Sequence, residues 1–440
     1  MNYESLENWK GMRNKIGNKE NKRSRVNYQL PLILLLCCAS LVVNSQVQVI
    51  SLDSVLDVIE KQNPMLNTFR NRAQAMNAYV AGSKSLMAPE VGGGLWMFPY
   101  QKQSYEHLAD SRQIMLSVSQ TFTNPVKLKA NQQYLSSRAT IEQANERFFY
   151  NGLKAQAKLA YYKWYVSEQK EKLLHESEEI LNLMIRVGRV RYPYNQEKLS
   201  NIYKAEGRLH EVKNMQLMNQ NEIQKQQILL KQLMNTPHSI QLAIDTTTIV
   251  HELNLITVDT VLLTQKRSDL HQLDRTIQTM RLNQQVEKVQ NRPDFNLNFS
   301  HMISVGQGMP NQFMLLGMVT IPIAPWSSKM YKANTKAMDY EIESMKAERL
   351  AIMNEVQGMT TGMISEIKTL KQQLLNYEQR IIPVLQKSYE SLMLAYEENK
   401  EELPMVIDGW ETLNMTRLQY LDTKMKYYEM IVSYEKEIER

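Results

Sequence analysis

The sequence repeats itself at a spacing of 204 residues, and this repeat limits the possible folds more than any other feature. Residues 63–66 match residues 267–270, and residues 88–91 match residues 292–295, in the same register. Each match is weak by itself, but the constant spacing indicates duplication of a whole structural unit. Such a unit is far longer than the roughly 20 to 50 residues of a solenoid repeat.

Residues 1–45 differ from the rest of the chain and are predicted to be a secretory signal peptide. Seven basic residues precede an apolar run over residues 30–43, which is the order found in signal sequences. An uncleaved transmembrane anchor is the alternative, but the run is shorter than the ~20 residues that a spanning helix needs. The remainder divides into a first structural repeat, residues 46–250, and a second, residues 251–440. Each repeat is expected to contain a helix, two strands and a long helical hairpin.

Cysteine content and charge exclude several classes of protein. Cys37 and Cys38 are the two cysteines and both lie in the apolar run, so the mature chain would have no disulfide and no thiolate metal site. Residues 1–45 carry seven basic and three acidic groups, so the net charge of +6 falls to about +2 without them. Nucleic acid binding needs a concentrated basic face, whereas here acidic and basic residues are interspersed. No nucleic acid partner is expected.

Two segments predict helices much longer than those of a globular domain. Residues 126–187 contain no proline and one glycine, and good helix formers dominate them. Residues 327–382 also lack proline and contain two glycines, and Pro383 is expected to kink this second helix rather than end it. Return helices are predicted over residues 196–235 and 405–440. Two antiparallel hairpins result, and a self-contained four-helix coiled coil is the alternative.

Residues 113–122 and 295–305 alternate with a period of two and predict β-strands. Residues 313–323, which are largely apolar on both faces, predict a third strand, and residues 91–101, which are broken by Gly92-Gly93-Gly94 and Pro99, predict a fourth. One face of the alternation is apolar. The opposite face carries small polar residues, which we assign to the lumen of a barrel: Ser117, Ser119, Asn296, Asn298, Ser300 and Ser304.

Strands of about 9 to 11 residues with one apolar face have the dimensions of an outer-membrane barrel. Four strands cannot close a barrel, and lipid does not tolerate an open sheet edge. Several chains would therefore have to pool their strands, and three chains would supply about 12. A small soluble sheet that caps a helical rod is the alternative.

Short motifs occur in a distinctive order along residues 50–440. They are an opening helix at residues 52–64, Arg292-Pro293-Asp294 before a strand, Ile321-Pro322-Ile323 after a strand, and Ile382-Pro383, Tyr396 and Val406-Ile407-Asp408-Gly409 near a turn. In this order and spacing they resemble the TolC family of outer-membrane efflux and export channels. Residues 96–99 and 119–129 look most like the heavy-metal branch, similar to CusC and CzcC, although Val126 stands where that branch has glycine.

The resemblance implies a mainly α fold with a membrane β-barrel portion. Three chains would form a 12-stranded β-barrel, four strands per chain, in the outer membrane of a Gram-negative bacterium, continued by a long α-helical barrel through the periplasm. The implied partners are the chain itself as a homotrimer, outer-membrane lipid, a periplasmic membrane-fusion adaptor and an inner-membrane pump of the resistance-nodulation-division type. Heavy-metal cations are the expected substrates. Drugs or type I protein secretion are an alternative, and a periplasmic coiled-coil adaptor or structural protein is the alternative of another class.

Asp408 is the main candidate for a gate. The resembling channels carry two acidic residues at this turn, and this chain retains the second of them. Three copies of Asp408 around a narrow axis would repel one another and attract cations, and Lys204 at the equivalent position of the first repeat would reduce that charge. The other gate or adaptor candidates near the two turns are Glu401, Glu402, Arg189, Arg191 and Tyr192.

No motif points to catalysis or to a cofactor, so the chain is expected not to be an enzyme. Met302, Met314 and Met318 lie in predicted strands. Methionine thioethers are soft ligands that suit Cu(I), so these residues are candidates for a soft-metal path. Methionine is also a flexible apolar filler, and no tight metal site is expected.

Overall fold

The computed structural model describes residues 48–98, 100, 111–245, 260–305, 309–322 and 324–439. The predicted signal peptide, with both cysteines, lies outside these residues. The described residues from 48 onward belong to one compact unit that spans Val47–Arg440. Within the described part of the chain, no helix combines the length and the apolar character needed to cross a membrane.

Both halves of the chain contain two helices, two strands and a long helical hairpin in that order, and the first half also has a short strand at each end. The first half contains β1 (Gln48–Ile50), α1 (Leu52–Gln62), α2 (Pro64–Gly82), β2 (Glu90–Trp96), β3 (Gln113–Phe122), α3 (Pro125–Arg191), α4 (Leu199–Leu233) and β4 (Leu242–Ile244). The second half contains α5 (Thr260–Lys266), α6 (Ser268–Lys288), β5 (Asp294–Ser304), β6 (Gln312–Thr320), α7 (Pro325–Asn376), α8 (Ile382–Glu397) and α9 (Leu403–Ile438).

The two long helices are present. Helix α3 has 67 residues, which corresponds to roughly 100 Å at 1.5 Å per residue. It begins where Asn124 accepts a hydrogen bond from the backbone N–H of Val126 through its side chain, and Pro125 occupies the first helical position. Both features favour the start of a helix. The asparagine side chain satisfies a free backbone N–H of the first turn, and proline lacks the N–H that would be unsatisfied at its position.

The long helix of the second half is interrupted by a π-helical turn over Tyr377–Ile381, between α7 and α8. Pro383 lies at the start of α8 and has no N–H to donate to the preceding turn. The wider π turn accommodates this loss, so the chain continues as helix α8. The prediction that Pro383 does not end the helix is confirmed.

Four strands form one antiparallel sheet in the order β2-β3-β5-β6. Phe299 of β5 lies between Val118 of β3 and Leu315 of β6 in the register. One face of the sheet is mostly apolar and exposed along all four strands, with Gln120 and His301 as polar members. Its exposed apolar residues are Val91, Leu95, Ile114, Leu116, Val118, Phe122, Phe295, Leu297, Phe299, Ile303, Phe313, Leu315 and Val319. The strand predicted over residues 91–101 ends at Trp96, because Met97 adopts a left-handed backbone conformation with φ 57°.

The buried core follows the helices in three clusters. One packs α3 and α4 against α8 and α9 near the hairpin turns, with Leu181, Ile202, Leu403, Ile407 and Trp410 at its centre. A second surrounds Trp164 where α1, β1 and β4 meet α3 and α4, and a third surrounds Tyr434 and Ile367. The apolar seams of the helices are therefore buried between the two hairpins as well as within each one.

The start of α2 and the start of α6 are held by equivalent contacts. The Asn63 side chain donates to the carbonyl of Leu233 at 2.9 Å, and the Arg267 side chain donates to the carbonyl of Glu437 at 2.8 Å. Both donors and both acceptors are 204 residues apart. The contacts thus follow the register of the sequence repeat.

Glu439, directly after α9, also contacts the start of α6. Its carboxylate accepts hydrogen bonds from the backbone N–H and the hydroxyl of Ser268, at 2.7 and 2.6 Å. Burial raises the pKa of Glu439 above its usual value, although the bonds from Ser268 oppose this shift. The folded chain therefore binds this proton more tightly than the unfolded chain does.

We expect the free energy of unfolding of the Glu439→Gln variant to fall less than that of the wild type as the pH rises. A raised folded-state pKa contributes stability below the unfolded pKa, and this contribution is lost as the pH rises through the folded pKa. The measurement is the free energy of unfolding of wild type and variant at about pH 4 and about pH 7. The variant should gain relative to wild type at the higher pH, and an equal change in both proteins would contradict the assignment.

Candidate functional site

The predicted lumen residues all lie on the sheet face opposite the apolar face. Asn296 donates to the hydroxyls of Ser119 and Thr121 at 3.0 and 2.9 Å, across the β3–β5 pair. The Ser300 hydroxyl donates to the Asn298 side chain at 2.9 Å. Ser117 is directly opposite Ser300, and Ser304 is opposite Gln113. This face therefore carries a polar stretch on both central strands, over residues 117–121 of β3 and residues 296–300 of β5.

The three strand methionines share the polar face. Met302 is buried, and Met314 and Met318 on β6 are exposed. Met314 is opposite Ser300, and Met318 is opposite Asn296. Met115 lies directly opposite Met302 on β3; it was not among the predicted residues, although the alternation that selects Ser117 and Ser119 also selects residue 115.

A second candidate region lies at the turns of the two helical hairpins, which we call the tip (residues 189–208 and 396–411). Both turns end on an asparagine with positive φ, Asn195 at 56° and Asn399 at 59°. Asparagine tolerates this left-handed conformation better than most residues. The two asparagines are 204 residues apart, so the two turns have equivalent geometry.

Three ion pairs join the first turn and α4 to the second turn and α9. The Lys204 ammonium lies 2.7 Å from the Asp408 carboxylate, and Arg208 lies 2.8 Å from Glu411. Lys198, just before α4, lies 3.5 Å from Glu402, just before α9. Asp408 and Glu402 therefore each have a basic partner within the same chain, and neither is a solitary acid.

Arg191 connects the two turns through the peptide backbone. Its guanidinium donates to the carbonyls of Tyr396 and Glu397 at 2.8 and 3.1 Å, and it lies 4.3 Å from the centre of the Tyr396 ring. The Tyr396 hydroxyl donates to Glu197 at 3.1 Å. Burial and the neighbouring Glu197 carboxylate raise the pKa of Tyr396 to about 12, so the hydroxyl keeps its proton at neutral pH.

The other predicted tip residues lie apart from this contact. Arg189 pairs with Glu206 of its own hairpin at 2.6 Å. Tyr192 is half-exposed at the end of α3, and Glu401 is exposed beside the second turn. Lys198, Arg208, Glu411, Glu197 and Tyr396 complete the site, and sequence reasoning did not assign them to it.

Comparison with solved structures identifies the fold. The chain superposes on the CusC channel with a TM-score of 0.70 at 13% identity, covering 88% of this chain and 91% of that chain. The outer-membrane channel OprN gives 0.70 at 12% identity, covering 88% and 89% of the two chains. The Campylobacter jejuni outer-membrane channel CmeC gives 0.71 at 14%, covering 88% and 85%. This chain has the fold of these TolC-type outer-membrane channels.

No protein-family model and no curated protein matches the sequence. The TolC-type fold therefore rests on structure, with sequence identities of 12 to 14%. Among the residues that the structure describes, no group of three or more His, Cys, Asp or Glu side chains is placed to hold a metal ion.

Proposed function

We propose that this chain forms a homotrimeric outer-membrane channel of a tripartite efflux system. The supporting observation is the four-stranded sheet, which exposes one mostly apolar face and is joined to helical hairpins through α3 and α7. Exposed apolar patches of this extent mark a surface that is covered by lipid or by another protein. In an outer-membrane barrel, the apolar face contacts lipid and the polar face lines the lumen.

A trimer supplies what one chain lacks. In the described part of the chain, β2 and β6 are the edge strands of the sheet. Lipid requires that every backbone polar group be satisfied within the protein, so both edges must pair. Pairing β2 of one chain with β6 of the next closes the barrel, and the hairpins of the three chains then continue it as a helical tube. The alternative of a soluble periplasmic adaptor leaves the apolar face in water.

The experiment is fractionation of cells that express the full chain. We expect the protein in the outer membrane, as a complex that migrates as a trimer in unheated gel electrophoresis and as a monomer after heating. The comparison protein is a soluble periplasmic protein from the same cells. Recovery of the chain as a soluble monomer would overturn the proposal.

For the substrate, we propose heavy-metal cations of the soft class. The polar face presents Met115 directly opposite Met302, with Met314 and Met318 on the neighbouring strand. Thioethers are soft ligands that select cations such as Cu(I). An adaptor and an inner-membrane pump would supply the energy, because the channel itself is passive. Drug efflux or protein secretion through the same channel is the second candidate.

We expect replacement of Met302, Met314 and Met318 by leucine to lower the copper and silver tolerance that the channel confers. Leucine keeps the volume and the apolar character of methionine but removes the sulfur ligand. The matched control replaces three exposed methionines of the helices by leucine: Met218, Met330 and Met359. Tolerance is measured as the growth-limiting concentration of each metal. Equal tolerance in wild type, sheet variant and control would remove the soft-metal path.

A further inference from the structure

Two of the ion pairs at the tip join equivalent positions of the sequence repeat. Lys198 pairs with Glu402, and Lys204 pairs with Asp408. The members of each pair are 204 residues apart. Duplication of a unit places the same residue type at both positions, but here the sign of the charge is reversed at both. At these two positions, each half of the chain therefore carries a charge opposite to that of the other half, at the same distance from its turn.

Contact between equivalent positions has a geometric consequence. Helices α4 and α9 both lead away from a turn, so they run in the same direction, and they contact each other in register at the tip. Two such helices are related by a rotation that moves α4 onto α9, about an axis parallel to the helices and with little shift along it. If the same rotation is applied again, α9 moves onto the position of α4 in a neighbouring copy, at the same distance along the axis. A second copy placed in this way presents its Lys204 to Asp408.

The exposure of these groups leaves room for a second partner. Asp408 retains 57% of its side-chain exposure and Lys204 retains 39%, although they contact each other. Lys198 and Glu402 retain 70% and 68%. Each of the four side chains therefore remains accessible to a further partner.

We infer that the tip is closed by two rings of alternating charge, in which Asp408 and Glu402 of one copy bind Lys204 and Lys198 of the next. This inference rests on the proposed homotrimer, which supplies three copies around one axis. Each ring then contains three acids and three bases, so the tip has no net charge at these positions. The expected repulsion among three Asp408 carboxylates is replaced by attraction to a lysine on either side.

The same rotation assigns a role to Tyr192 and Glu401. Within the chain, Tyr396 donates to Glu197. Residues 192 and 401 are the equivalents of 396 and 197, and they are again tyrosine and glutamate. Tyr192 of the next copy is therefore placed to donate to Glu401. In contrast, Thr412 and Gly207 are the equivalents of Arg208 and Glu411, so the seam between copies lacks that third ion pair.

The test is cross-linking between two differently tagged chains in one cell, one with Lys204→Cys and the other with Asp408→Cys. Neither chain carries both changes, so a short bismaleimide can join the two tags only across the seam between copies. We expect a cross-linked heterodimer in outer-membrane trimers. The matched control pairs Arg189→Cys with Asp408→Cys, because Arg189 contacts Glu206 of its own hairpin. Each cysteine variant expressed alone reports cross-links between identical positions.

The outcomes separate this inference from the proposed function. Heterodimers with Lys204→Cys and Asp408→Cys, but not with the Arg189→Cys control, support the rings. Normal trimers without that cross-link, or with equal cross-linking in the control, overturn the rings and leave the channel intact. Absence of trimers in wild type overturns the proposed function, and the rings with it.

Discussion

Replacing Phe299 by arginine should abolish the outer-membrane trimer. Phe299 lies at the centre of the apolar sheet face, between Val118 and Leu315, and its ring stacks on Phe313 with centroids 6.2 Å apart. Arginine on the lipid face of a barrel costs about 2 to 4 kcal/mol near the midplane of the membrane. A trimer incurs that cost three times. The measurement is the amount of heat-modifiable trimer in the outer membrane.

Asn298→Arg is the matched control for this variant. Asn298 is the adjacent residue of β5, and successive side chains of a strand point to opposite faces. Arginine at residue 298 would lie on the polar face, where charge is tolerated, so trimers should persist. If both variants form trimers to the same extent, the apolar face is not in contact with lipid.

Replacing Arg267 by methionine should destabilise the folded chain by about 3 to 5 kcal/mol, because it leaves buried acids without a partner. The Arg267 guanidinium lies 2.5 Å from Asp269 and 2.7 Å from Glu437. Its side chain is 10% exposed, and those of Asp269 and Glu437 are 17% and 15% exposed. The two carboxylates hold the pKa of Arg267 above its usual value against the opposing effect of burial, so the group stays charged.

The measurement is the guanidinium chloride concentration at the midpoint of unfolding of the purified protein. Unfolding is monitored by the loss of the helical circular dichroism signal. The control is Lys61→Met, which removes the exposed ion pair between Lys61 and Asp57. Exposed pairs of this kind contribute about 0.3 to 0.5 kcal/mol. A similar midpoint for both variants would show that the Arg267 cluster does not anchor the end of α9.

Local patterns were sufficient to predict the main elements. Alternation at Gln113–Phe122 predicted β3 without error, and proline-free segments predicted α3 and α7. The strand ends were less accurate. The left-handed conformation of Met97 shortens β2, and no glycine or asparagine stands at that position to signal it in the sequence.

The candidate site was harder to predict because its contacts are distant in sequence. Asp408 and Lys204 were identified as equivalent positions, but their contact requires α4 and α9 to be neighbours in space. The sequence repeat does not predict which helices are neighbours in the folded chain. Arg191 illustrates a second difficulty: its partners at the second turn include the carbonyl groups of Tyr396 and Glu397, and sequence patterns do not report on backbone acceptors.

Electrical recording from the purified protein in a planar lipid bilayer tests the channel most directly. We expect discrete conductance steps from the wild-type trimer, and larger steps from the Asp408→Lys variant, in which like charges meet at the tip. The double variant Lys204→Asp with Asp408→Lys restores the ion pair and should return the steps to the wild-type size. Trimers that insert but give no conductance steps in any of the three forms would contradict the proposal that the chain forms a channel.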